Sequence, residues 1–256
     1  MDAFARSGIN TVEGNLTIGG EDEENPVTNL DGLKNLVSVR CDLTITAAYT
    51  GETLAGLENL TACESLRIGS AAHPNETLRQ LSLPALKEIK GDLCVYGTAL
   101  QTADFKSLQS VAGHFVLQSD ALLQLTADEL TTVAGNMTLI GTTADEAKAP
   151  CEQMYFPKLQ RIDGTLTLSR FDRLSGLGTT FGVLTQAGAL RYEHLALANT
   201  FEFPLIETTG NITVTDCSYC DRSCCRHSPT PDRSKLRGVR PSKHYPSRSG
   251  AFRRRR

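Results

Sequence analysis

Residues 105–141 state nearly the same pattern twice, and that repetition limits what this chain can fold into more than any other feature. Leu108-x-x-Val111-x-Gly113-x-Phe115-x-Leu117 is followed, at a spacing of 22, by Leu130-x-x-Val133-x-Gly135-x-Met137-x-Leu139. The frame recurs as Val12-x-Gly14-x-Leu16-x-Ile18, Leu36-x-x-Val39-x-Cys41-x-Leu43-x-Ile45 and, one residue shorter, Leu60-x-x-Cys63-x-x-Leu66-x-Ile68. Later copies are Leu86-x-x-Ile89-x-Gly91-x-Leu93-x-Val95, Leu159-x-x-Ile162-x-Gly164-x-Leu166-x-Leu168 and Leu205-x-x-Thr208-x-Gly210-x-Ile212-x-Val214. A degraded copy is placed at Leu195 and Leu197. Self-similarity with a period of about 20 to 50 residues marks a solenoid, whose units bury their apolar sides only by stacking.

Each copy ends in strict alternation, as in Gly113-His114-Phe115-Val116-Leu117. Side chains on a strand point alternately to opposite faces, so Phe115 and Leu117 are expected inside and His114 and Val116 outside. The glycine before the strand suits a tight corner, where positive φ carries no Cβ penalty. The apolar pair upstream, Leu108 and Val111 in this copy, supplies a second inward edge. The expected fold is mainly β, a parallel β-solenoid of about nine irregular coils ending near Thr215. Strand centres fall at Leu16, Leu43, Leu66, Leu93, Phe115, Met137, Leu166, Leu195 and Ile212. Their spacings vary from 17 to 29, so the extra residues, such as 71–77 and 142–154, are expected to bulge out as loops. Loops on a rigid scaffold commonly carry binding specificity.

The repeats resemble a known family. Strands such as Gly14-Asn15-Leu16-Thr17-Ile18, the Leu57-x-Asn59-Leu60 edge and the Phe156-Pro157-x-Leu159-x-x-Ile162-x-Gly164 edge are similar to receptor L-domain repeats. These are relatives of leucine-rich repeats that occur in insulin- and EGF-type receptor ectodomains, with similar repeats in fungal cell-wall and bacterial surface proteins. The resemblance covers residues 9–215, about four-fifths of the chain, and implies a single-stranded, right-handed parallel β-helix. The family supplies no catalytic residue to carry over, and no local match to a hormone-binding site is present. The chain departs from the pattern in having more turns than a receptor L domain needs and no N-terminal cap.

Charge divides the chain in two. Residues 226–256 hold 11 Lys and Arg against one acid, Asp232, leaving 15 basic and 28 acidic residues in 1–225, a net of −13. The solenoid is therefore a poor candidate for nucleic-acid binding. Residues 216–256 read as a Cys-containing, basic, disordered tail. No stretch has the apolar length of a transmembrane helix. The first fifteen residues lack a secretory signal, yet the repeats begin with almost nothing to cover the first coil. The chain is read as a fragment, and an extracellular or cell-surface location is expected.

The residues that carry chemistry are few. The outward column one residue after each strand centre reads Thr17, Thr44, Arg67, Cys94, Val116, Thr138, Thr167, Ala196 and Thr213. The column before the centres reads Asn15, Asp42, Ser65, Asp92, His114, Asn136, Thr165, His194 and Asn211. Threonine suits exposed strand positions. Alternatively, Thr17, Thr44, Arg67, Thr138, Thr167 and Thr213 form a docking face for a protein or glycan. Five Asn-x-Thr triplets start at Asn15, Asn59, Asn75, Asn136 and Asn211. Three of these are the repeat's own frame, which leaves Asn59 and Asn75 as glycosylation candidates, Asn75 first because it lies in a loop. Cys63 occupies a core position, Cys41 replaces a corner glycine, Cys94 points outward and Cys151 lies in a loop, so none is expected in a disulfide. Cys217, Cys220, Cys224 and His227 could hold zinc, open a cysteine-rich module or belong to an unstructured tail. The acidic run Glu21-Asp22-Glu23-Glu24 lacks the alternating ligand spacing of a calcium loop. No Ser/His/Asp set or paired carboxylates are fixed by spacing, so neither an enzyme nor a cofactor is expected. The expected function is a non-catalytic recognition or structural module binding a protein or glycan. The alternative is an intracellular leucine-rich-repeat-type scaffold for protein interactions.

Overall fold

A computed structural model describes residues 8–20, 26–142, 149–171, 173–174, 180–195, 205–215 and 217. The protein is mainly β, and its parallel strands form a solenoid of about eight turns. The expected strands stack in one continuous ladder that begins at Leu16–Ile18, Leu43–Ile45, Leu66–Ile68 and Leu93–Tyr96. It continues through Phe115–Gln118 and Met137–Ile140, the second half of Arg161–Ser169, the second half of Gln186–Glu193, and Ile212–Thr215. All pairs are parallel and in register: Leu16 faces Leu43, Phe115 faces Met137, and Leu190 faces Ile212. Alternation works as expected, with Phe115 and Leu117 fully buried and Val116 half-buried on the outside.

The upstream apolar pair builds a second ladder of two-residue strands. Ser38–Val39, Ala62–Cys63, Glu88–Ile89, Ser110–Val111 and Thr132–Val133 run into the first residues of the long Arg161–Ser169 strand. Val39, Cys63, Ile89, Val111, Val133 and Ile162 point inward from it. A third face, beyond the single strand per coil implied by the resemblance, carries the short strands Gln80–Ser82, Thr102–Asp104, Gln124–Thr126 and Gln153–Tyr155. Leu81, Ala103, Leu125 and Met154 enter the core from this side. Buried side chains from all three faces form one cluster along the axis. Within it Phe105, Phe115 and Phe156 meet edge-to-face at 6.0 and 6.5 Å, and Phe156 stacks on Phe181 at 5.5 Å.

Three expectations change. The eighth rung centres on Leu190, which pairs with Leu166 and Ile212 and has Tyr192 as its second inward residue. Leu195 lies beyond the strand, and Leu197 falls outside the described residues. The copy is hidden in the sequence because Gly188-Ala189-Leu190-Arg191-Tyr192 keeps the glycine and period two but replaces the second aliphatic residue with tyrosine. The 142–154 segment does not simply bulge away. Ala149, Cys151 and Met154 are fully buried or nearly so, and the segment returns to form the third-face strand Gln153–Tyr155, while residues 143–148 lie outside the described set.

The corner glycines are present for a different reason from the one expected. None has positive φ; those that do are Gly8, Gly19, Gly56 and Gly69. Successive corners lie directly on one another. The N–H of Gly113 donates to Gly91 O at 2.8 Å, Gly135 to Gly113 O at 2.9 Å and Gly164 to Gly135 O at 3.0 Å. A Cβ on Gly135 would sit 2.6 Å from both Gly113 O and His114 Nδ1. The requirement is close approach of backbone to backbone, not an unusual dihedral angle. At the first corner, Gly14, a Cβ would meet nothing within 4 Å.

Gly135→Ala should therefore lose about 2 kcal/mol or more, because the coils must separate to admit the methyl group. Gly14→Ala should stay within about 0.5 kcal/mol. Urea unfolding of the two variants checks this, and equal losses at both sites would rule out the close-approach explanation.

Candidate functional site

The broad outer face of the main ladder is the most continuous surface the described residues offer. Register places Thr17, Thr44, Arg67, Cys94, Val116, Thr138, Thr167, Arg191 and Thr213 in one row along the axis. Arg191 takes the place expected for Ala196, which lies outside the described residues. Thr17, Thr44, Arg67, Thr138, Thr167 and Thr213 thus share one face, as expected. Two residues further along each strand runs a second outward row that includes Tyr96, Gln118, Ile140 and Glu193.

The middle of this face is largely apolar, with the half-buried Gln118 between Tyr96 and Ile140. Cys94, Val116, Tyr96 and Ile140 are each half-buried. Burial first, then the Asp92 carboxylate, pushes the Cys94 thiol upward in pKa, and Arg67 opposes this. Burial also raises the Tyr96 phenol. Charged pairs lie toward either side: Arg67 contacts Asp92 at 3.6 Å, and Arg191 pairs with Glu193. The arginines of these pairs are exposed and their acidic partners half-buried, and such pairs near the surface contribute little to stability, which leaves the guanidinium groups open to a partner.

The row before the strand centres is not a free polar face. It forms a ladder of side-chain acceptors that cap the next coil. Asn15 Oδ1 accepts the Asp42 N–H at 3.1 Å, and Ser65 Oγ accepts the Asp92 N–H at 3.3 Å. Asp92 Oδ1 accepts the His114 N–H at 2.9 Å, His114 Nδ1 accepts the Asn136 N–H at 2.9 Å, and Asn136 Oδ1 accepts the Thr165 N–H at 2.8 Å. A second set serves the flank, where the Thr61, Thr131 and Thr185 hydroxyls donate to carbonyls one coil back at 2.9–3.1 Å. The eighth rung puts Ala189 in the capping row, and His194 instead follows the strand with φ of 51°.

Asn75 is the largest correction. It is fully buried, and its amide joins three segments. Nδ2 donates to Thr46 O at 3.2 Å and Tyr49 O at 2.8 Å, while Oδ1 accepts the N–H groups of Thr77 at 3.1 Å and Leu78 at 2.8 Å. A sugar on Nδ2 would remove a donated bond and could not enter the core, so Asn75 is not a glycan acceptor in the folded protein. Its loop is exposed at residues 71–73 and again at Glu76, on either side of the buried asparagine. Asn59 is exposed, with Nδ2 donating to Lys34 O at 2.7 Å. The third face carries a shallow groove of about 300 Å³ between Thr102, Asp104, Lys106, Gln124, Thr126 and Asp128. Tyr155 stands exposed on the last strand of that face.

The five described cysteines are free thiols. Cys63 is buried as expected, and Cys151 is buried where an exposed loop was expected. Burial pushes each of these two thiols up to about 12, helped at Cys63 by Asp42 and Glu64 and opposed at Cys151 by a hydrogen bond with the Gln153 backbone. Among the described residues no three His, Cys, Asp or Glu side chains come close enough to hold a metal ion. Of the zinc candidates, only half-buried Cys217 is described, with Sγ 3.4 Å from Thr215 O. Cys220, Cys224, His227, the rest of the tail and the Glu21-Asp22-Glu23-Glu24 run lie outside the described residues. No helix among the described residues is long and apolar enough to cross a membrane.

Comparison with protein-family models, curated proteins and solved structures finds no match to this chain. The resemblance to receptor L-domain repeats therefore rests on the repeat residues alone.

Two measurements test this description. Asn75→Asp should lose about 3 kcal/mol, because a buried carboxylate would face the Thr46 and Tyr49 carbonyls, whereas Asn59→Ala should lose about 1 kcal/mol or less. A thermally unchanged Asn75→Asp protein would contradict the buried-amide geometry. The thiols set an alkaline limit. Their folded-state pKa lies above the ordinary 9.0, so the stability this represents is present below pH 9 and is lost as pH rises toward about 12. Cys63→Ala with Cys151→Ala should flatten the fall in denaturation midpoint across that window.

Proposed function

We propose that the solenoid is a non-catalytic recognition or structural module, displayed at a cell surface or secreted, that binds a protein partner through the middle of its broad face. The observation that carries this reading is the composition of that face by position. A largely apolar centre of Cys94, Val116, Tyr96 and Ile140, interrupted by Gln118, lies between charged pairs at Arg67–Asp92 and Arg191–Glu193 whose arginines are exposed. An apolar core with a polar rim is the common anatomy of protein interfaces. The in-register strands hold that face rigid, so binding requires little ordering of the module itself. The resemblance to receptor L-domain repeats supports the surface location. A glycan remains the other ligand class the family resemblance allows, and the polar third-face groove is where its hydroxyls would find partners.

The test is a screen of the full chain against arrays of protein ectodomains and glycans, followed by two surface variants. Val116→Lys places a charge at the centre of the broad face, while Gln153→Lys does so on the third face. Both lysines point outward and should leave stability within about 1 kcal/mol. A protein partner should lose about tenfold or more in affinity with Val116→Lys and be insensitive to Gln153→Lys. Loss only with Gln153→Lys would move the site to the groove, and insensitivity to both would sink the broad-face reading.

A further inference from the structure

Three asparagines of the capping row, Asn15, Asn136 and Asn211, begin the triplets Asn-Leu-Thr, Asn-Met-Thr and Asn-Ile-Thr. Strand geometry puts the asparagine and the threonine on the same outward side, with the intervening side chain turned inward, as Met137 is. All three asparagines are exposed. At two of them the amide orientation is set by the neighbouring coil. Oδ1 of Asn15 is held by the Asp42 N–H and Oδ1 of Asn136 by the Thr165 N–H. With the oxygen directed along the axis, Nδ2 is left on the solvent side, and no described residue accepts a hydrogen bond from it.

The other two triplets are built differently. At Asn75 the nitrogen is the buried atom, donating to two carbonyls, and at Asn59 it donates to Lys34 O. The capping row and the outward column of the repeat together supply these triplets. Each of its three asparagines has a threonine two residues on, whereas only Asp42 and Thr165 do so among the other six positions of the row.

We propose that Asn15 and Asn136 are N-glycosylation sites whose sugars project from the corner beside the broad face. This rests on the reading of the chain as an exported module. In the transfer, Nδ2 forms a bond to C1 of an oligosaccharide donated by a lipid-linked pyrophosphate sugar. The C1–oxygen bond to phosphate breaks, the lipid pyrophosphate leaves with the electron pair, and Nδ2 gives up one proton to a base of the transferase. The threonine of each triplet is the element the transferase requires. The product keeps Oδ1 free to cap the next coil, so the acceptor ladder survives modification. The same reaction at Asn75 would leave a chain that cannot close its core.

The experiment is peptide mapping of the full chain purified from the cells that make it. Enzymatic deglycosylation in heavy-oxygen water marks each formerly modified asparagine. Label at Asn15 and Asn136 with none at Asn75 is the expected result. Thr17→Val and Thr138→Val, expressed in the same cells, should each abolish label at the matching asparagine while leaving the melting transition in place, because neither touches the Oδ1 bonds. Unlabelled Asn15 and Asn136, or label at Asn75 in folded protein, overturns the proposal. An unlabelled chain that still binds a Val116-dependent partner would sink this inference alone. A labelled chain whose partner ignores Val116→Lys would sink only the broad-face reading.

Discussion

Everything in this molecule depends on how closely one coil can lie on the next. Parallel strands in register need a spacing of about 4.8 Å, and every part of each coil must accept that spacing, including the corners. The strands accept it through ladder hydrogen bonds. The corner accepts it because Gly91, Gly113, Gly135 and Gly164 have no Cβ to hold the backbones apart, and each donates its N–H to a backbone carbonyl one coil back. A side chain at any of these positions would push against the carbonyl of its neighbour and open the whole stack at one edge.

The polar residues next to the glycines solve the complementary problem. Where the chain turns from flank to broad face, backbone N–H groups point along the axis past the regular ladder. An unpaired N–H that is withdrawn from water is costly. Asn15, Ser65, Asp92, His114 and Asn136 each offer one acceptor to the coil that follows. The chemical variety of the row, with amide, hydroxyl, carboxylate and imidazole, is explained by a single shared requirement. His114 serves through Nδ1, so that nitrogen carries no proton when the cap is made. The same geometry fixes what remains on the outside: the two outward rows of the broad face, and the exposed side chains of Asn15 and Asn136 at the corner.

Much of the fold was legible from residues with their own periodicity. Phe115, Leu117, Met137 and Leu139 announced the main ladder, and Val111 and Val133 its flank. The third face was also written, as Leu81-x-Leu83, Ala103-x-Phe105, Leu125-x-Ala127 and Met154-x-Phe156, but each run is only two inward residues long. The eighth rung was expected at Leu195 and lies at Leu190, because Tyr192 stands where an aliphatic residue was sought. The candidate site was partly legible. Its outward row followed from period two, while its apolar centre appeared only when Tyr96 and Ile140 were placed beside Cys94 and Val116.

By itself, the sequence determined that coils exist, where most of the rungs fall and which side of those strands faces the core, because these follow from spacing along one chain. The tertiary structure alone decided what each polar residue is for. Asn75 and Asn136 begin the same kind of triplet, yet one is the buried centre of a five-bond junction and the other an exposed cap for the next coil. Their partners lie 26 and 29 residues away, on neighbouring coils. The difference arises from coil-to-coil distance, a quantity that local spacing does not contain, and it sets whether a side chain supports the fold or remains available to another molecule.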